Sequence, residues 1–483
     1  MTPLTALSLL AGYFGVLIWI AWKTGRKATT TSFFTADHAA PWTLVAFGMI
    51  GASISGVTFI SVPGQVAKTG YLYFQVVVGY VLGYLVVGTV LMPLYYRLGL
   101  ISIYEYLGRR FGPVTYRTGV VYFMMSRTLG SALRLMLTAG VLHTFIFSGW
   151  GLPFELTVVI TLGLIWIYTF RGGIKTIVFT DTFQTLFLIG GAVICLWTLA
   201  RQLGNPFHQL IDAASFYSWW EFEDYKSPLF FLKQILGGMF VTIAMTGLDQ
   251  DLMQKNLTCA NLRDAQKNML SFTLILVVVN IIFLLLGGMM YRFATTRQLT
   301  LPEAPDAVFP MLALSHLGGA AAIFFLLGIT ASSYASADSA LAALTTSFCI
   351  DILQFSKISD ERRRQKIKTL VHLGFSILFI VIILVARRWA DRALIDVILK
   401  SAGYTYGPLL GLFFYGLLTR RSLPDRLTPL TTLSGPASVA LLDYYLPQWW
   451  DGYRMGYEIL LVNGVITFVF LHCSALIFKK NDA

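Results

Sequence analysis

Charged residues are scarce in this sequence of 483 residues, since Asp, Glu, Lys and Arg together make up only 12% of it. A soluble domain usually carries about twice that fraction, roughly 25%. Hydrophobic residues account for 56% of the chain, and the mean hydropathy is +0.69. This composition excludes an ordinary soluble domain and a disordered chain, and it indicates a polytopic membrane protein.

Cysteines are also few, and no long polar segment interrupts the apolar stretches. The four cysteines are scattered singly with no metal-ligand spacing, so they indicate neither a disulfide framework nor a zinc site. The longest loop, about 201–229, is too short for a soluble catalytic domain. We therefore expect no enzyme and look for the function among the membrane spans.

Long apolar stretches are abundant. A bilayer core about 30 Å thick requires about 20 mostly apolar residues per helix. The sequence predicts a single all-α membrane domain, 1–483, with about thirteen transmembrane helices. The predicted spans are 3–22, 42–66, 72–96, 115–148, 154–170, 176–200, 230–250, 269–292, 316–349, 370–387, 395–418, 427–445 and 458–478.

The distribution of basic residues predicts the orientation of these spans. The net charge is +12, and with the N-terminus outside, 23 of the 36 basic residues fall in inner loops or at inner span ends and 10 in outer loops or at outer span ends. The positive-inside rule favours this arrangement, with the C-terminus inside. The first span is not a signal peptide, because its basic cluster at 23–27 follows the apolar stretch. We expect a multi-pass protein of the inner cell membrane that contacts the lipid bilayer. We expect no nucleic acid as a partner.

Three basic residues lie inside predicted spans away from the span ends, and two of them share one helix. Arg127 and Arg134 are seven residues apart, about two helical turns, so they project from nearly one face. They either pair with carboxylates or helix C-termini, or at least one binds an anionic substrate through a bidentate contact. Lys400 follows Asp396 by four residues, and an ion pair between them is the simpler interpretation.

The ninth span carries a stripe of hydroxyl groups. Ser332, Ser336 and Ser339 recur at spacings of four and three, and Asp338 lies beside them. Small hydroxyl residues alone are typical of close helix packing. A carboxylate among them favours a site for a small hard cation, which prefers oxygen ligands.

Two other segments allow two interpretations each. Residues 51–58 of the second span are rich in glycine and serine, which is typical of close packing or of a helix that unwinds near the midplane. Asp181 lies about one and a half turns into the sixth span, after Arg171 and Lys175. It forms either a surface ion pair or an intramembrane cation ligand.

Four ordered motifs resemble the sodium:solute symporter family, which includes sodium-coupled sugar, pantothenate, proline and sialic acid transporters. The resemblance covers about residues 5–420. The four motifs are specific only as a set, because each alone would be weak. The motifs are the Arg-Gly-Gly-Ile-Lys loop leading to Asp181 and Gln184, the segment 51–60, the sequence 248–255 followed by 265–267, and the serine-rich span that ends at 349–352.

The resemblance implies a LeuT-like core of two inverted repeats of five helices. The repeats correspond here to 42–200 and 230–420, with extra helices at 1–30 and 427–483. In that fold each repeat begins with a broken helix, and the ion and substrate sites lie near the midplane.

The resemblance also implies sodium as the coupled ion and a primary sodium site. Backbone carbonyls of Gly51 and Ile54 and oxygens of Ser332, Ala335 and Ser336 occupy the matching positions. The family commonly has two adjacent serines where this chain has Ala335-Ser336, so one hydroxyl ligand is missing. Ser332 can compensate through its own hydroxyl.

A second sodium site is present in some members of the family. The matching positions are Asp181, Ala335, Asp338 and Ser339. The additional carboxylate of Asp338 either strengthens the attraction for a cation or takes a proton instead. Two sodium ions with one monoanion would carry net positive charge inward.

The resemblance places a solute pocket between spans two, three, four, seven and eleven. Several positions that are polar in sugar transporters are apolar here, so a plain hexose fits poorly. An arginine in the fourth span is similar to the sialic acid transporters, and we expect an organic anion such as a sialic or other sugar acid, bound by Arg134 ahead of Arg127. The matching pocket positions are Thr58, Gln75, Val77, Tyr80, Thr242, Met245 and Leu399.

The sequence therefore predicts a sodium-coupled symporter that imports a small organic solute by alternating access, without an obligatory protein partner. A symporter of sugars or other neutral solutes and a proton-coupled variant remain open. A channel would conduct without uphill accumulation. A transporter-like membrane sensor would be expected to carry an appended cytoplasmic domain.

Overall fold

The computed structural model describes residues 3–26, 30–170, 173–389 and 394–478. Some residues counted in the topology, namely Lys27, Arg171, Arg392, Lys479 and Lys480, lie outside the described residues, as does Gly172 of the loop motif. Helices and their connections account for all of the described chain, in which no strand occurs.

Fifteen helices make up the membrane part of the described chain, and we number them in order. They are α1 (Pro3–Gly25), α2 (Trp42–Ser53), α3 (Gly56–Thr69), α4 (Tyr73–Leu98), α5 (Pro113–Trp150), α6 (Phe154–Thr169), α7 (Gly173–Leu203), α8 (Phe231–Gly247), α9 (Gln250–Asn256), α10 (Leu262–Thr296), α11 (Gly319–Ile352), α12 (Glu361–Ala386), α13 (Leu394–Leu418), α14 (Thr428–Trp449) and α15 (Ile459–Ile477). Shorter helices connect them at Thr30–Thr35, Glu105–Arg110, Pro206–Ala213 and Pro305–Ser315.

Each of the thirteen predicted spans is helical over most of its described residues. Eight helices are long and apolar enough to cross a membrane, and two bent pairs raise that number to ten within the described residues. The all-helical membrane fold is thus confirmed, while the number of crossings and the orientation of the termini remain predictions.

Two of the spans are broken, and each begins one of the predicted repeats. The axes of α2 and α3 meet at a bend of 58°, because Ile54 (ψ 88°) and Ser55 (ψ 169°) leave the helical conformation. The axes of α8 and α9 meet at 69°, where Asp249 is extended and its carboxylate caps α9 by accepting from the Asp251 amide at 2.8 Å. Both breaks free backbone groups among buried residues.

Helix α11 lies at the centre of the described structure. Every residue from Phe325 to Ser347 is buried, and the helix packs against α7, α5 and α2. Its small residues allow this close approach. On the facing helix, a Cβ on Gly191 would lie only 2.6 Å from the Phe324 carbonyl oxygen. The serine-rich stripe is therefore held against the first broken span.

Candidate solute and cation sites

A cavity lies between the two broken spans and helices α4, α5, α10 and α13. It has about 730 Å³ of space free of protein atoms, part of it open to solvent. Six of the seven residues predicted to bind substrate, all but Gln75, line it. Tyr80, a further predicted pocket position, lines it as well. These residues are Thr58, Tyr80, Arg127, Arg134, Thr242, Met245 and Leu399.

The two arginines have different partners within the cavity wall. Arg127 is 3% exposed and forms ion pairs with Asp251 and with Asp249, whose Oδ2 lies 3.8 Å from its Nη1. Arg134 is half-buried and forms no hydrogen bond or ion pair with any residue that the structure describes. The charge of Arg127 is therefore neutralised by carboxylates of the protein, whereas that of Arg134 remains available to a ligand.

The carboxylates that neutralise Arg127 come from the break between α8 and α9. Asp249 and Asp251 are at most 1% exposed. Asp249 also accepts a hydrogen bond from the Tyr406 hydroxyl, and Asp251 accepts one from Ser339. The second broken span is thus tied to α5, α11 and α13 through two aspartates.

Two tyrosines of the wall are paired with each other. The Tyr73 and Tyr80 hydroxyls are 2.9 Å apart. Within the described chain, the cavity is lined by no Asp or Glu. Its electrostatic character therefore favours an anion.

Asn280 of α10 also lines the cavity and was not singled out from the sequence. It is 2% exposed, and its amide nitrogen donates to the Leu276 carbonyl at 2.8 Å. Its Oδ1 has no hydrogen-bond partner within the described structure. A buried acceptor without a partner is costly, so this oxygen is suited to a donor group on a bound solute.

The residues predicted for the primary sodium site lie on two elements that pack together, α2 with the break that follows it and α11. Gly51 packs against Ala335, since a Cβ on Gly51 would lie 3.4 Å from that of Ala335. Helix α2 ends at Ser53, and the last helical bond runs from the Ile54 amide to the Ile50 carbonyl, so the next carbonyls lack helical partners. The Ser336 hydroxyl is buried without a hydrogen-bond partner among the described residues. These groups fit a small cation that takes oxygen ligands.

The residues predicted for a second sodium site are also buried, but they have partners in the protein. Lys255 donates to Asp181 over 2.5 Å, and both side chains are 1% exposed. The Tyr168 hydroxyl donates to Asp338 at 2.7 Å. Asp181 is therefore part of a buried ion pair, where the sequence had left open a surface pair or a cation ligand.

Two residues considered from the sequence lie away from the cavity. The Gln75 amide donates to the Leu72 and Leu229 carbonyls and accepts from the Glu221 amide at 3.0 Å, so it anchors the segment between α7 and α8. Lys400 forms an ion pair with Asp443 at 2.6 Å and is half exposed. We include neither residue in the proposed solute site.

The sequence motif 248–255 supplied residues whose roles were not foreseen. Asp249, Asp251 and Lys255 provide the partners of Arg127 and Asp181. The sequence did contain a signal for these ion pairs. Three charged residues lie within seven positions of an apolar segment, and buried charges require partners.

Comparison with known proteins gives a consistent result. The sequence model of the sodium:solute symporter family matches residues 33–423. The chain is 23% identical over 435 residues to the sodium/sialic acid symporter NanT of Aliivibrio fischeri (strain ATCC 700601 / ES114), covering 86% of this chain and 83% of that one. It is 27% identical over 420 residues to the sodium-coupled monocarboxylate transporter 2 of Bos taurus, covering 84% of this chain and 66% of that protein.

A solved structure shares the fold over almost the whole length. It is the substrate-bound outward-open state of a sodium-coupled sialic acid symporter, with a TM-score of 0.81 and 18% identity. The alignment covers 98% of both chains. The expected LeuT-like architecture is thereby confirmed.

Proposed function

This chain belongs to the sodium:solute symporter family, whose members couple solute movement to sodium, and we propose that its solute is a small organic anion bound by Arg134. The guanidinium of Arg134, which lines the cavity and has no ion-pair partner in the described part of the chain, is the observation that carries this proposal. A guanidinium in a site of low dielectric constant binds a carboxylate through two charge-assisted hydrogen bonds. Because Arg127 is already neutralised, it supports the wall instead of competing for the ligand.

The remaining wall favours an anion of mixed character. Thr58 and the free Oδ1 of Asn280 offer hydrogen bonds, while Val241, Met245 and Leu399 offer apolar contacts. A hydroxy acid, a keto acid or an N-acylated sugar acid meets both requirements. Both relatives described above carry anions in their names, a sialic acid and a monocarboxylate, which supports this class.

Sodium binding at the first break provides the coupling. Gly51 and Ile54 would contribute carbonyls from the broken span, and Ser332, Ala335 and Ser336 would contribute oxygens from α11. An ion that joins these two elements favours the conformation in which they are close, and by that differential affinity it favours solute binding in the adjacent cavity.

Alternating access would move two five-span repeats, 42–200 and 230–420, with the helices of 1–30 and 427–483 outside them. The two observed breaks begin these ranges and support the division. We place the protein in the inner cell membrane, surrounded by lipid and without an obligatory protein partner. The apolar side chains exposed on α1 and α12, such as Trp19 and Ile377, suit contact with lipid.

The experiment is uptake into proteoliposomes containing the purified protein. We expect accumulation above the equilibrium level for carboxylates in an inward sodium gradient, and none when potassium replaces sodium. Neutral sugars should not compete with the transported carboxylate. Competition by neutral sugars alone would contradict the proposal, and flux without accumulation would indicate a channel.

A further inference from the structure

The second sodium site expected at Asp181, Asp338 and Ser339 is already supplied with a cation by the protein itself. Lys255 on α9 reaches across to α7, where its ammonium contacts the Asp181 carboxylate at 2.5 Å. Both groups are buried, so neither is screened by water. An ammonium group carries the same single charge as sodium and directs three donors to nearby oxygens.

The other expected ligands of this site do not provide enough free oxygens to bind sodium while Asp181 is paired with Lys255. The Ser339 hydroxyl donates to Asp251, and Ala335 has no side-chain oxygen. Asp338 retains one oxygen, Oδ1, without a partner among the described residues. A hard cation requires several oxygen ligands at once, so these residues do not fit a second sodium ion in this arrangement.

We infer that Lys255 is a tethered cation that takes the place of a second sodium ion, so that the chain binds one sodium ion. This inference rests on the proposed function, because it specifies the ion stoichiometry of the same transporter. The position of Lys255 follows from the second break, since α9 begins after Asp249 and directs its last turn toward α7. The lysine moves with the broken span and is not released.

One sodium ion with one monoanion carries no net charge. The steady-state accumulation of a monoanion should then be independent of the membrane potential. With two sodium ions, a potential of 100 mV would add about 2.3 kcal/mol, or roughly 50-fold, to the accumulation ratio. The two stoichiometries therefore differ by a large and measurable factor.

The direct test is equilibrium binding of radioactive ²²Na⁺ to the purified full-length protein in detergent, without solute. We expect one sodium ion per chain. Two ions per chain would overturn the inference and leave the proposed solute class untouched. Absence of sodium binding would overturn both the inference and the proposed coupling.

Variants separate a tethered cation from a merely structural lysine. Lys255→Gln should raise the bound sodium to two ions per chain, because it frees Asp181 as a ligand. The double variant Asp181→Asn with Lys255→Gln removes both charges, avoids an uncompensated buried carboxylate and should return the count to one. A count of one in Lys255→Gln, or of two in the double variant, would contradict the inference.

Lys368→Gln is the matched control. This lysine is also buried, but its ammonium lies over the Phe33 ring at 4.2 Å and forms no ion pair with a described residue. Its replacement should leave one bound sodium ion. In proteoliposomes, the ratio of ²²Na⁺ to labelled carboxylate taken up should be one, and a potassium diffusion potential should not change the final accumulation.

Discussion

Arg127 and Arg134 project from one face of α5, two turns apart, yet among the described residues only Arg127 forms ion pairs with carboxylates. Its partners, Asp249 and Asp251, come from the break in the second repeat. Arg134 lines the same cavity, and no carboxylate of the described chain forms an ion pair with it. Arg127 therefore joins α5 to the second broken span, and the charge of Arg134 is available to solute.

Replacement of Arg134 should remove solute recognition. In Arg134→Gln, loss of the charge-assisted contact, about 1.5–3 kcal/mol, should raise the KM for carboxylate uptake by about 10- to 100-fold. Arg134→Lys keeps the charge but cannot form the bidentate contact, and it should recover only part of the affinity. Uptake kinetics at saturating sodium measure both. Full affinity in Arg134→Gln would contradict the assignment.

Replacement of Arg127 should act on stability. Arg127→Met leaves Asp249 and Asp251 buried and uncompensated, which costs about 3–5 kcal/mol. We expect a clearly lower temperature of thermal unfolding in detergent without solute. Arg134→Met breaks no ion pair and serves as the control, with a much smaller decrease. Equal decreases in the two variants would show that the ion pairs do not stabilise the structure.

Asn280 should distinguish solutes by their hydrogen-bond donors. Asn280→Leu removes the free acceptor, so a hydroxy acid should lose about fivefold to tenfold in apparent affinity, equivalent to about 1 kcal/mol. The corresponding acid without the hydroxyl should be little affected. Competition of both acids against one labelled solute measures the difference. A similar loss for both acids would assign Asn280 to packing.

Position 335 should tune sodium affinity. Ala335→Ser restores the hydroxyl that this chain lacks at the primary site, and it should lower the sodium concentration for half-maximal uptake by about fivefold, or ~1 kcal/mol. Ser336→Ala removes the hydroxyl that has no partner among the described residues and should raise that concentration. An unchanged sodium dependence in both variants would place the sodium ion elsewhere.

The membrane spans could be predicted from the sequence because hydropathy acts over about 20 consecutive residues. The weak point at 51–58 could also be recognised, since glycine and serine are local signals, although the signal alone did not distinguish close packing from unwinding. Arg134 emerged because an ionisable residue within an apolar stretch is conspicuous. These features depend on neighbours in the chain.

The partners of the buried charges could not be predicted. Asp181 and Lys255 are 74 residues apart, and each could have paired with several other groups. Gln75 matched a pocket position, but its amide forms hydrogen bonds with the segment between α7 and α8. Local sequence shows that a buried polar group needs a partner, but it does not show which one.

The sequence by itself determined the membrane class, the positions of the helices and the small set of charges inside them. Only the tertiary structure decided which of those charges cancel and which remain available to ligands. The physical reason is that Coulomb energies in a medium of low dielectric constant depend on distances of a few ångströms. Such distances are set by helix packing, which brings Asp249, Asp251 and Lys255 to their partners.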